Sequence, residues 1–256
     1  MDGAVAVSWV GLLLIGLGVS DLVFSMLPSS PRRGRIAEGV GSLVVVALGL
    51  LAGLTGADVV GVLVLAVVVA VCGESVTLGF ARRRYRLTLA VLGVAVAGTL
   101  LASGAAPEAG GPLGDWLEAT ALPLLAGVAP DRALVVLGVL LVQLSTGNVV
   151  VRLVLGATGT GHPLRSTSGQ APAGALKGGR ILGPLERLFI VGLGLAGEVT
   201  AASIVIAAKG LLRFPELQSA RADGTPGPGI HEVTEYFLVG SFVSWSVSLA
   251  CLALVG

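Results

Sequence analysis

Seven stretches of this chain are apolar over nearly the thickness of a bilayer, and they constrain the fold more than any motif does. A transmembrane helix needs about 20 mostly apolar residues. Such runs occur at Ala4–Phe24, Ile36–Leu54, Val59–Phe80, Leu87–Ala105, Ala133–Leu155, Ile181–Ala208 and Val233–Leu254. Helix breakers separate them, among them PSSPRRGR, TGAD and APEAGGPLGD. Within lipid only helices and closed barrels satisfy every backbone hydrogen bond. The pattern therefore predicts an all-α, polytopic integral-membrane helical bundle of about seven spans, with residues 1–256 forming a single transmembrane domain. Composition agrees: 12% of residues are charged, about half the share in a soluble domain. The 39 glycines suit helices that pack closely in lipid. Ala121–Ala129 is apolar but too short to span, and is expected to be re-entrant or interfacial.

Several function classes drop out. A net charge of +1, with no finger or other recognition motif, excludes a strongly basic nucleic-acid binder. His162 and His231 fall in loops on opposite sides, and Cys72 and Cys251 lie in apolar runs as small core residues, so no set has metal-ligand spacing. GATGTG follows a helix rather than a strand and lacks the Lys–Ser/Thr of a phosphate loop. No metal and no cofactor is expected. The N-terminus carries Asp2 where a secretory signal has basic residues, and reads as a retained first span.

Arginines set the expected orientation. Arg32, Arg33 and Arg35 follow the first run, and Arg82, Arg83, Arg84 and Arg86 follow the third. Arg152, Arg165, Lys177 and Arg180 flank the connection between the fifth and sixth, within which Gly156–Arg180 reads as a flexible loop or lid. All eleven share one side, whereas the 106–132 loop is acidic. The expectation is a cell (inner) membrane protein with its N-terminus out and its C-terminus in.

A charge at mid-bilayer costs about 3 kcal/mol on insertion scales, so embedded charges mark function by default. Asp21, Glu38, Glu74, Glu186 and Arg187 all fall in the cytoplasmic half and should face one another or a water-filled cavity. On the fifth run Ser145, Asn148 and Arg152 share one helical face, and on the seventh Ser241, Ser244 and Ser248 do the same. The seventh-run serines read as packing residues. On the sixth run Arg187, Glu198 and Lys209 recur every eleven residues and therefore form one stripe facing one direction. Glu235 and Tyr236 are the expected outer-side partners of Glu198 and Lys209.

Two resemblances add to this. The run GGRILGPLERL, then AAKGLLRF, then EYFLVGSFVS, about 80 residues, resembles the C-terminal end of an uncharacterised family of small bacterial integral-membrane proteins. Gly179, Gly183, Glu186, Arg187, Lys209, Arg213, Phe214, Glu235 and Tyr236 carry it. The resemblance implies a multi-span fold and no established activity. More weakly, several spans with embedded acids are similar to the small polytopic membrane terpene cyclases of meroterpenoid and indole-sesquiterpenoid pathways. Ala-, Gly-, Val- and Arg-rich usage suits an actinobacterial source.

The leading functional expectation is an integral-membrane enzyme acting on an isoprenoid or lipid-like amphipathic substrate by carboxylic-acid proton transfer, most concretely a protonation-initiated terpene cyclase. Glu74 is the first choice of acid, with Asp21 and Glu186 for charge stabilisation or final deprotonation. Arg187, Asn148, Arg152 and Glu38 would orient the donor or hold a polar head group. Trp9, Phe80, Phe189, Phe237, Phe242 and Trp245 could stabilise a cation. The alternatives are a proton- or cation-coupled transporter, for which GLGLAGE (Gly192–Glu198) is the plausible helix break, and a membrane scaffold with structural ion pairs.

Overall fold

Hydropathy alone locates the first four helices to within a few residues. The computed structural model describes residues 7–123, 125–160, 179–208 and 230–255. They form α1 (Ser8–Met26), α2 (Arg33–Leu51), α3 (Asp58–Arg82), α4 (Tyr85–Ala102), α5 (Gly111–Ala119), α6 (Pro130–Leu144), α7 (Thr146–Thr158), α8 (Gly179–Leu195), α9 (Val199–Ala208) and α10 (Ile230–Ala253). No strand occurs among the described residues. The all-helical expectation holds. Five helices, α1 to α4 and α10, are long and apolar enough to cross a membrane, and α6 with α7 makes a sixth if the broken pair is one span.

Two of the seven expected spans are interrupted. Ala133–Leu155 breaks at Ser145, whose backbone leaves helical geometry at φ −128° and ψ −66°. Ile181–Ala208 breaks at Gly197, where φ is +81°. Glu198 N–H donates to the Leu193 carbonyl at 2.8 Å and Gly197 N–H to that of Gly194 at 3.0 Å. This paired closure around a left-handed glycine ends a helix and satisfies carbonyls that would otherwise be orphaned. The sixth run is thus two pieces, 17 and 10 residues long. Ala121–Ala129 forms consecutive turns rather than a helix over its described residues, and the helix beside it is α5.

By contacts the chain falls into two compact units, Met1–Thr146 and Gly147–Leu254. In the first, α1 is the central element and packs on α2, α3, α4 and α6. Its buried run from Val10 to Gly18 is covered on all sides. Small residues permit this: a side chain at Gly11 would lie 2.8 Å from the Leu134 backbone, and one at Gly138 would meet the Gly11 carbonyl at 2.9 Å. Lipid gives no hydrophobic drive between helices, so close backbone approach and hydrogen bonds hold them. Ser42 Oγ on α2 donates to the Ala66 carbonyl on α3 at 2.8 Å, and Thr88 Oγ1 on α4 to the Ser75 carbonyl at 2.9 Å. Ser145 Oγ reaches the Gly18 carbonyl at 2.7 Å.

In the second unit α8 packs along α10. Arg187 meets Ser244, and a side chain at Gly194 would meet Leu252 at 2.6 Å. Both contacts advance in the same direction, so the two helices run in the same sense. Gly240 faces Val151 and Leu155 at 3.8 Å, and Glu235, earlier on α10, meets Thr160, just past the end of α7, so α7 runs against α10 in the opposite sense.

Candidate functional site

The site builds outward from α8. Glu186 and Arg187 are consecutive, so their side chains leave the helix about 100° apart. Arg187 points inward and is only 1% exposed. Its guanidinium carries donors in a fixed fork and needs acceptors on more than one side. One terminal nitrogen donates to Asn148 Oδ1 on α7 at 2.8 Å, and the other to Ser244 Oγ on α10 at 3.1 Å. Gly147 makes the room: a β-carbon there would lie 2.6 Å from Arg187 Nε and 2.9 Å from Cζ. Gly183, one turn before Arg187, leaves a second gap, with a β-carbon 3.7 Å from both Arg187 Nη1 and Asn148 Oδ1. Three helices thus meet at one cation.

Glu186 faces the other way and is half-buried. Trp245 Nε1, next to Ser244 on α10, donates to Glu186 Oε1 at 2.9 Å. A carboxylate and the N–H edge of an indole are therefore held together, next to a buried arginine. Ser241, Ser244 and Ser248 are all buried, so the serine stripe is an inward face of α10. Chemically, the group sets a carboxylate able to exchange a proton beside an indole N–H and next to a buried, fully engaged cation.

The other predicted residues lie elsewhere. Arg152 is one turn beyond Asn148 on α7 and is exposed. Ser145, expected on that same face, belongs to the break before α7 and bonds to Gly18 instead. Glu198 is exposed at the start of α9. The stripe through Arg187, Glu198 and Lys209 is corrected, because Gly197 ends the helix it required; Lys209, Arg213 and Phe214 lie outside the described residues. Glu235 is exposed and accepts from Thr160 Oγ1 at 3.4 Å, and Tyr236 beside it is half-buried.

Within the first unit Asp21 is half-buried on α1. Glu38 on α2 is 8% exposed, packed against Gly73, with Oε1 lacking a hydrogen-bond partner among the described residues. Glu74, the first choice of acid, is exposed on α3.

Two members of the Arg187 cluster were not singled out as functional by the sequence. Ser244 reads as one packing serine among three, and Gly147 carries no polar atom to notice. The available signal was their spacing: Gly147 precedes the polar Asn148, and Ser244 lies mid-stripe. No protein-family model matches the chain, and neither the curated proteins nor the solved structures contain a significant match to it.

Proposed function

We propose that the chain is an integral-membrane enzyme that isomerises an isoprenoid or lipid-like substrate by proton transfer, with the second unit as its active site. The observation that carries this reading is the Glu186–Trp245 hydrogen bond beside the buried Arg187. Protonation-initiated cyclisation needs an acid, an aromatic face for the cation and a base for the final proton. Such a cyclisation returns the proton it consumes. One carboxyl therefore suffices: Glu186, protonated, donates to an alkene or epoxide, and the cation finally returns a proton to the carboxylate. Trp245 offers its π face to the intermediate charge. Arg187 and Asn148 hold the polar end of the substrate and fix its direction. The test is incubation of nanodisc-embedded protein with farnesylated and epoxidised substrates. A ring-bearing product of unchanged mass supports the reading. No conversion of either substrate class by well-folded protein contradicts it.

A second reading, a proton- or cation-coupled transporter, is favoured by the helix breaks at Ser145 and Gly197, since discontinuous helices commonly frame transport sites. Flux into proteoliposomes under a pH gradient, without product formation, would select it.

We further place the protein in the cell membrane with the arginine-rich ends cytoplasmic and the N-terminus outside. For the C-terminus we propose the outside, in place of the cytoplasmic side expected from the seven runs, on the ground that α8 and α10 run in the same sense. If α8 leaves the cytoplasmic side, so does α10, and the C-terminus emerges outside. A C-terminal alkaline phosphatase fusion should be active; an inactive phosphatase with a fluorescent green-protein fusion restores the original topology.

A further inference from the structure

The arginines at one end of the first unit are not equivalent. Arg33 is engaged, its guanidinium carbon 4.1 Å above the Phe24 ring. Arg32 and Arg35 instead line an open cavity of about 440 Å³ together with Ile36. Neither guanidinium makes a hydrogen bond or close ion pair among the described residues, although Arg35 feels the attraction of the Glu38 carboxylate one turn on. The first turn of α2 contains no acid, and its one side-chain contact is the Ser30 hydroxyl, which accepts from Arg32 N–H at 3.3 Å, so its positive end still favours an anion. Two forked guanidiniums at a helix N-terminus are matched to a phosphate.

What lies beyond the cavity identifies the kind of phosphate. Arg32, Ile36, Gly39, Leu43 and Leu50 fall on one helical face of α2, within about 60° of each other. Ile36, Leu43 and Leu50 are 48%, 67% and 47% exposed. Gly39 is exposed, and a β-carbon there would have no atom within 4 Å, which leaves a notch between Ile36 and Leu43. From Ile36 to Leu50 the stripe runs roughly 21 Å, much of the ~30 Å hydrocarbon core. A free anion would use the cavity alone. A phospholipid would use the cavity for its head group and the notched stripe for an acyl chain. The adjacent α3–α4 turn adds Arg82, Arg83, Arg84 and Arg86 at the same end, since α2, α3 and α4 are successive helices of one unit. The local field favours a net negative lipid over a zwitterionic one.

We propose that this exposed face of α2 is a binding site for one anionic phospholipid, its head group between Arg32 and Arg35 and an acyl chain over Gly39. The site is separate from the Arg187 cluster and stands whether or not the protein is an enzyme.

Native mass spectrometry of delipidated protein titrated with phosphatidylglycerol or phosphatidylcholine tests it. Wild type should bind one phosphatidylglycerol about tenfold more tightly than phosphatidylcholine. The double variant Arg32→Gln/Arg35→Gln should lose that preference, while Arg83→Gln keeps it. Because arginine loss can also disturb insertion, Gly39→Phe carries an independent arm: it leaves every charge in place, fills the notch, and should weaken phosphatidylglycerol binding about threefold. Equal binding of both lipids, unchanged binding in Gly39→Phe, or full displacement of the lipid by excess inorganic phosphate would overturn the proposal.

Discussion

The two units solve the problem of polar groups in an apolar chain differently. In the first, three bonds join helices by short hydroxyls donating to main-chain carbonyls: Ser42 to Ala66, Thr88 to Ser75, Ser145 to Gly18. In the second they join side chain to side chain: Arg187 to Asn148 and to Ser244, and Trp245 to Glu186. A hydroxyl bonded to a carbonyl adds adhesion without placing charge, and any helix face can use it. A guanidinium bonded to an amide and a hydroxyl costs desolvation that adhesion alone does not need. The difference is one of means: the first unit, although it also buries Glu38, joins its helices through hydroxyls on carbonyls, and the second gathers three helices around a buried cation.

The sharpest way to break this contrast is Arg187→Ala. It leaves a cavity and strands the buried Ser244 and the half-buried Asn148, and is expected to destabilise by about 3 kcal/mol. Reversible unfolding in mixed micelles would measure it, and a loss under about 1 kcal/mol would put Arg187 on a par with the serines of the first unit.

Gly147→Ala comes next. Its methyl must displace the guanidinium from 2.6 Å, at a cost of about 2 kcal/mol for overpacking. It should also reduce substrate binding, because Arg187 moves. A stable Gly147→Ala protein with unchanged binding would mean that the cradle is incidental.

The smallest expected effect is Ser42→Ala in the first unit. Hydrogen bonds between membrane helices average about 0.6 kcal/mol, so unfolding should shift by about that much and activity should not change. A change in turnover would show that the first unit does more than pack.

How much of this could be read in advance follows the range of each cue. Helices α1 to α4 and α10 are local hydropathy events, and their ends fall within a few residues of the apolar runs. The break at Gly197 was legible too, because GLGLAGE offers a glycine where a helix can close in the left-handed region. The break at Ser145 was not. Leu141 to Gly147 contains no proline, and the bond that rewards leaving the helix comes from Gly18, far away in sequence. The face of Glu74 was equally hidden, since α3 is apolar all round and periodicity cannot tell lipid from neighbour. Glu186, Arg187 and Asn148 were each marked by being polar in an apolar run. Their grouping with Ser244 and Trp245 depends on helix pairing, which one sequence does not encode locally.

The central claim is that proton transfer belongs to the second unit, at Glu186, and not to the exposed acid of α3. Turnover of an epoxidised isoprenoid by Glu186→Gln and Glu74→Gln, measured side by side in nanodiscs with matched folding, tests it most directly. The amide keeps size and hydrogen bonding to Trp245 but cannot exchange the proton. Glu186→Gln should lose roughly 100-fold or more, the scale of general acid–base catalysis, while Glu74→Gln stays near wild type. The reverse pattern, with Glu74→Gln inactive and Glu186→Gln at full rate, would contradict the account and return the chemistry to the first unit.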